Sequence, residues 1–357
     1  VIYSATTSWR ARVTALCDAH PGRAASVAAE YGVDAAYEDA RSMLNDADLD
    51  AVLVLTPVQL HHEHTLLALR AGTHAYVQKT MALRYEDAAE MVEAGSAAGR
   101  TLAVAPGQML CPAYQQAKTL VDDGAVGRVA WCYAGTTTSN VQDTVDANGL
   151  DHTWEYHHGG GALWNTSVYS LHALTGVFGS VVSVTSAMAT FAPSRLREGV
   201  PFDVTETDHT LMLMEFESGA LGFTWGTRSA GGPLHEWGAF GCYGDAGSIE
   251  ATSIHMESGW PDVLETRGRD GAVSYNYPSA GFATNAEWQT PLAPAPHASI
   301  PEQHVYLDVS DFVDAIVDGR APRACALHAA HVVEVIERTY RAANTGARQQ
   351  IASRLRP

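Results

Sequence analysis

The sequence lacks any CxxC pair, and its cysteines show no zinc-finger spacing. It also has no apolar run near the ~18 residues of a membrane helix, so no membrane partner is expected. Five cysteines (Cys17, Cys111, Cys132, Cys242 and Cys325) are odd in number and scattered. That excludes a disulfide framework and predicts free thiols in a reducing cytoplasm. Basic residues are scarce, with 22 Lys and Arg against 40 Asp and Glu, a net charge of −18. A surface of that sign repels phosphate backbones, so nucleic acid is not an expected partner. No signal-peptide pattern, internal repeat or low-complexity tract is present. What is there is core: hydrophobic residues make up 46% and charged ones 17% of 357 residues, enough for two packed domains.

The chain has two rhythms. RVTALCD (12–18) reads as a strand ending in an acid, and PGRAASVAAEYG (21–32) as an alanine-rich helix closed by Gly32. AVLVLTP (51–57) is a continuous apolar run of the kind buried on both faces of a parallel sheet. QLHHEHTLLALRAG then predicts a helix ending at Gly72, HAYVQ a strand, YEDAAEMVEAGSAAG a helix and TLAVAP another strand. This alternation implies right-handed βαβ units in a doubly wound α/β sheet. Past residue 106 comes a helix in PAYQQAKTLVDDG, then strands in RVAWCYAGTT, VVSVTSA, HTLMLMEF, ALGFTWGTR, WGAFGCYG and SIEATSI. The join ESGA, with Gly219, predicts a hairpin. Two helices, in YLDVSDFVDAIVDG and ALHAAHVVEVIERTYRAANTG, close the chain. The expected division is an α/β domain over 1–106 and an α+β domain with a mostly antiparallel sheet over 107–357. Residues 257–300, rich in Gly, Pro, Ala and Asn, are expected as one long loop.

Candidate chemistry gathers at the strand ends. Asp18 is placed either to hydrogen-bond the adenosine ribose of a dinucleotide or to cap the next helix. Thr56 and Pro57 open a turn followed by His61, His62 and His64, which lack the i, i+4 pairing of a metal-binding helix. No metal site is expected. THAYVQKTMA (73–82) sets Gln78 and Lys79 just beyond a strand, in the same mouth as Asp18 and Thr56. A lysine there is either a surface charge or a reactive group. Downstream, HTWEYHHGGGALWNTSVYSLHALTGVFG (152–179) runs through three glycines, which let backbone approach something closely, into a helix. Asn165, Tyr169 and His172 fall at i, i+4 and i+7, on one helix face. The segment suits a ligand pocket, or a core helix with satisfied polar groups.

In order along the chain, LCDAHPGRAASVAAEYG, LDAVLVLTPVQLHHEHTLLALRAGTHAYVQKTMAL and GGGALWNTSVYSLHALTGVFG resemble the signatures of the Gfo/Idh/MocA oxidoreductases. DFVDAIVDGRAP and the closing helix are similar too. The resemblance implies a nicotinamide-binding Rossmann domain and a second domain with an open, mostly antiparallel sheet. It implies a sugar, cyclitol or related polyol as substrate. The family's E-K-P lysine matches Lys79, with Gln78 and Thr80 in place of its glutamate and proline. Its D-x-G-x-H helix matches Asn165, Ser167 and Tyr169, and its T-P-N-x-x-H turn matches Thr56, Pro57, Val58 and His61. Thr56, Pro57, His61, Gln78 and Lys79 thereby become expected cofactor contacts, with Asp18 favouring NAD over NADP and Arg23 as the residue that could admit NADP. Trp154, His157, His158 and His172 become expected substrate contacts, with Trp154 the stacking platform. A homodimer or homotetramer would cover the open sheet.

The proton chemistry follows from the residues themselves. Oxidising an alcohol requires a base to take the hydroxyl proton, and a free tyrosine with pKa ≈ 10 is a poor one. An ammonium within about 4–6 Å favours the phenolate. Lys79, Tyr169 and Asn165 are therefore the expected catalytic set, with His172, His157 or His158 as an alternative relay. No strand and G-x-G-x-x-G loop precede RVTALCD, so about 20 residues of the family's first βα unit are expected to be missing from the sequence. Two other readings stay open: a non-catalytic sugar- or cofactor-binding relative, and a glycoside-cleaving enzyme that oxidises transiently, eliminates and recycles NAD.

Overall fold

The computed structural model describes residues 10–137, 144–145, 151–229, 239–252, 263–268, 271–276 and 303–355. Its first part is the predicted βα alternation: β1 (Ala15–Cys17), α1 (Arg23–Tyr31), β2 (Ala35–Tyr37), α2 (Ala40–Asp46), β3 (Ala51–Val54), α3 (His61–Arg70), β4 (His74–Val77), α4 (Tyr85–Ala98) and β5 (Leu102–Val104). All ladders here are parallel. β1 pairs with β2, and β3–β4–β5 form a second ladder. Among the described residues no strand joins β1 to β3, and residues 1–9, which read as the back of a helix, lie outside the described set. The strands are short because each is an apolar run cut by a turn. Gly32, Gly72 and Gly99, all at positive φ, close off the three longer helices.

The second part opens with α5 (Pro112–Asp122) and β6 (Val129–Thr137). After α6 (Val168–Phe178) come β7 (Val181–Ala189), the hairpin β8 (Ser194–Arg197) and β9 (Val200–Asp203), then β10 (His209–Phe216), β11 (Leu221–Thr227), β12 (Ala239–Gly244), β13 (Gly247–Thr252), β14 (Val263–Gly268) and β15 (Gly271–Asn276). The chain ends with α7 (Gln303–Asp318), α8 (Ala326–Thr345) and β16 (Gln349–Gln350). Nine strands make one sheet in the order β15-β14-β13-β12-β6-β11-β10-β7-β16, antiparallel except for β6 against β11. The expected loop over 257–300 is corrected in part, because β14 and β15 fall inside it. LETRG and AVSYN are too mixed in polarity to announce strands, and pairing with β13 supplies the order. Residues 277–300 lie outside the described set. The short pieces β2, α2, β8, β9 and β16 also escape periodicity.

β10 shows the two-residue period plainly. Thr210, Met212, Met214 and Phe216 are buried under α6 and α8, while Leu211 and Leu213 face outward. Cys132 and Cys242 stand opposite each other across β6 and β12 as buried free thiols. The two closing helices return to the parallel sheet. Phe312 and Ile316 of α7 pack on Tyr76 and Ala103, and Ala326, Ala330 and Val333 of α8 pack with α3 and α4. Among the described residues no helix is long and apolar enough to cross a membrane.

Candidate active site

β3 and β4 are parallel neighbours, so their ends open in one direction. At the tip of β1, Asp18 accepts the His20 amide at 2.8 Å and faces the Arg23 guanidinium at 3.4 Å, so both carboxylate oxygens are engaged at the surface. Past β3, Pro57 starts a single 3-10 turn, Val58–Leu60, ahead of α3. Past β4, the Gln78 side chain folds back to accept the Lys79 amide at 2.8 Å. Thr80 then anchors the loop, donating from its hydroxyl to the Trp164 carbonyl at 2.7 Å.

The second domain brings its own polar segment to this mouth. Residues Leu163–Ser167 wind as one π-helical turn before α6, all five of them buried. Such turns recur at functional sites because they offset side chains from the regular helical register. Asn165 sits in the turn and receives the Lys79 ammonium on its side-chain oxygen and, at 3.1 Å, on its carbonyl. One turn on, the Tyr169 ring lies beneath the same ammonium, 5.4 Å from Nζ to the ring centroid. Lys79, Asn165 and Tyr169 thus meet, from strand ends and helix of different domains.

The ammonium of Lys79 donates to neutral oxygens of Asn165, and burial pushes it down to about 8. Glu155 works against that fall and Arg228 adds to it. These two form an ion pair with each other, each about one-seventh exposed, and Glu155 also faces His152 at 3.4 Å. Arg228 and Arg195 sit over the Tyr156 ring at 5.6 and 5.3 Å. Glu155 and Arg228 were not singled out from the sequence. The available signal was a lone charge closing the otherwise uncharged strand LGFTWGT, and one acid between Trp154 and Tyr156.

Three of the expected contact residues, and the glycine run, are engaged with protein. His61 is buried, and its Nδ1 and Nε2 lie 2.7 and 2.8 Å from the carbonyls of Thr80 and Thr56. The His172 ring is buried against His328 of α8, 4.7 Å between centroids. Asn165, in the π-helical turn, and Tyr169 both reach Lys79, whereas His172 turns toward α8. His157 hydrogen-bonds Thr205 at 2.9 Å and packs on Phe202. The three glycines make room for protein: a Cβ at Gly159 would crowd Val58 and Gln59, at Gly160 the Glu155 backbone, and at Gly161 Glu206. Trp154 is 47% exposed and His158 more so, leaving both available at the surface. Among the described residues no cluster of His, Cys, Asp or Glu could hold a metal.

Residues 3–105 match the oxidoreductase family GFO_IDH_MocA, NAD-binding Rossmann fold, and residues 114–250 match the GFO/IDH/MocA C-terminal domain. The levoglucosan dehydrogenase of Pseudarthrobacter phenanthrenivorans is 28% identical over 251 residues, covering 66% of this chain and 63% of the relative. The scyllo-inositol 2-dehydrogenase (NAD(+)) of Bacillus subtilis is 26% identical over 220 residues, 62% of this chain and 60% of the relative. The chain therefore spans less than two thirds of either relative's length. A solved levoglucosan dehydrogenase with NADH and levoglucosan superimposes at a TM-score of 0.80, with 22% identity, over 98% of this chain and 94% of that one. An oxidoreductase from Agrobacterium radiobacter with NAD+, L-tartaric acid and magnesium superimposes at 0.79, with 18% identity, over the same shares. The two successive family matches and the shared two-sheet fold lead to one conclusion: this chain belongs to the Gfo/Idh/MocA oxidoreductase family.

Proposed function

We propose that the protein is an NAD-dependent oxidoreductase moving hydride between nicotinamide and a secondary alcohol or ketone of a sugar, glycoside or cyclitol. The observation that carries this is the meeting of Lys79 with Tyr169 and Asn165 at the mouth of the parallel sheet. A levoglucosan dehydrogenase and an inositol dehydrogenase among the relatives support the substrate class. The domain division is proposed at 106/107, with α7 and α8 reaching back to the first sheet.

The donor set suits the dinucleotide at its ribose end. Asp18 stands at a strand tip with its carboxylate oriented by the His20 amide. Asp18 and the Thr56–Pro57 turn would hold the cofactor, with Gln78 and Lys79 flanking the nicotinamide end. The bound cofactor supplies a hydride acceptor at the substrate carbon. Lys79 and Tyr169 take or return the hydroxyl proton, and Asn165 fixes the Lys79 ammonium over the ring. Trp154 offers an exposed stacking face for the pyranose or cyclitol ring.

Calorimetry with NAD and NADP tests this, on the chain as given and on one extended by a preceding strand and glycine-rich loop. NAD binding by the extended chain, followed by net NADH release in a polyol screen, is the expected result. No binding by either sinks the dehydrogenase reading in favour of a cofactor-independent binding protein. Glycoside cleavage without net NADH indicates oxidation–elimination instead. Tyr169→Phe, which keeps the ring under Lys79 but removes the hydroxyl, is expected to lower kcat about 100-fold while leaving NAD affinity within about twofold.

The open sheet face is proposed to pair with a second copy. Register places Leu213, Phe223 and Tyr133 in one row and Leu221, Trp131 and Tyr243 in the next. Trp225 lies flat over Gly135 and Tyr133 over Gly241, which leaves a smooth aromatic surface. Leu211, Leu213 and Leu221 are at least 60% exposed in the single chain. Stable interfaces cover about 800 Å² per partner, and an apolar face this broad is rarely left to solvent. Sedimentation should show a dimer or tetramer, and Leu213→Asp should yield monomers. A wild-type chain that sediments as a monomer at micromolar concentration contradicts the proposal.

A further inference from the structure

We propose that His61 is a positioning residue that ties Lys79 to the turn expected to meet the cofactor; this rests on the dehydrogenase reading above. His61 is the first residue of α3 and is 1% exposed. One ring spans two strand-end segments, with Nδ1 2.7 Å from the Thr80 carbonyl and Nε2 2.8 Å from the Thr56 carbonyl. Thr56 opens the turn beyond β3, and Thr80 directly follows Lys79. The ladder between β3 and β4 stops at Val54 and Val77, with one further bond from the Gln78 amide to the Val54 carbonyl at 3.0 Å. Beyond that point the imidazole takes over the role of the ladder.

On its far side Thr80 donates to the Trp164 carbonyl, adjacent to the Asn165 that holds Lys79. The contacts thus run unbroken from Thr56 through His61 and Thr80 to the π-helical turn. Gln59, in the same 3-10 turn as Val58, donates to the His158 carbonyl at 2.7 Å and carries the link on to the substrate side. A shift of the Thr56–Pro57 turn on cofactor binding must therefore move the Lys79 loop with it.

The ring chemistry adds a condition. A neutral imidazole has one N–H, so it can donate to one of these two carbonyls at a time. The imidazolium donates to both. The groups facing the ring are the Thr80, Thr56 and Met81 carbonyls and His64, none of them a carboxylate, and burial keeps the ring below its ordinary value. At neutral pH the tie is therefore single, and acidification doubles it.

The test follows Lys79 itself, by competitive amine labelling read by mass spectrometry across pH, on the whole chain. In the wild type Lys79 should titrate near about 8. His61→Ala should release the loop, expose the ammonium and raise that midpoint by about one unit or more, with kcat falling about tenfold and KM changing less. His61→Gln keeps one donor in reach of one carbonyl, and its midpoint should lie between the two. If His61→Ala does not fold, His61→Gln decides alone. A Lys79 midpoint unmoved in the folded variants overturns the proposal. Labelling needs no turnover, so a chain without dehydrogenase activity but with the shifted midpoint would retire the functional reading and leave the His61–Lys79 tie standing.

Discussion

Lys79→Ala is expected to lower kcat/KM by about 10²–10⁴-fold, the range that positioned proton transfer contributes. The lysine has three jobs that alanine cannot do. Its ammonium donates to both oxygens of Asn165 and stands over the Tyr169 ring, and in the proposed reaction its charge would face the developing alkoxide. Lys79→Arg should recover little, because the planar guanidinium cannot reproduce a point charge seated between one residue's two oxygens and a ring face. NAD affinity, measured by calorimetry, should change far less than kcat. An alanine variant within about fivefold of wild type would remove Lys79 from the chemistry and leave it a structural tie to Asn165.

The same lysine sets a pH dependence. Burial pushes its ammonium down to about 8. Oxidation needs a proton acceptor, so its rate should rise with pH through that value; reduction needs the proton and should fall across the same range. Glu155→Gln removes the carboxylate that favours the charged form and should move the midpoint downward. Arg228→Met, which removes the opposing cation, should move it upward while leaving Glu155 without its partner.

Much of this site was legible in the sequence because strand ends are marked locally. The run HAYV followed by Gln78 and Lys79 tells both where β4 ends and what stands at its tip. Asn165 and Tyr169 were legible as a helical pair. What sequence could not give was long-range partnership. His61 and His172 read as polar groups near a pocket, yet each is consumed by a distant partner: the Thr80 carbonyl in one case, His328 in the other. The π-helical turn at Leu163–Ser167 has no periodicity of its own, so it could not be read from spacing. Glu155 and Arg228 meet across 73 positions of chain, and nothing local announces such a pair. The strands β14 and β15 failed for the same reason: their order comes from a neighbour in the sheet, and their composition carries little signal.

Asp308 carries the second large expected effect. Its carboxylate lies buried in α7, accepts the Gly107 amide at 3.0 and 3.2 Å and the Tyr76 hydroxyl at 3.4 Å, and has Asp311 as its nearest charged influence. With no cation among those partners, burial pushes it up to about 7. An unfolded aspartate titrates near ~3.9, so the folded chain binds this proton more tightly. The stabilisation is complete below about pH 4, is lost as pH rises toward about 7, and stays lost above it. Summed over that interval the loss is on the order of 4 kcal/mol. Asp308→Asn keeps the shape and a carbonyl to accept from Gly107, but cannot ionise. Denaturant unfolding should therefore show the variant close to wild type at about pH 4 and more stable by several kcal/mol at about pH 8. A stability difference that is the same at both values would mean that Asp308 is ionised throughout, its charge met by groups other than Gly107 and Tyr76. The expected slope has a consequence for the site as well. Tyr76 lies in β4, three residues before Lys79, so the carboxyl expected to weaken the fold above neutrality is bonded to the strand that leads into the Lys79 loop.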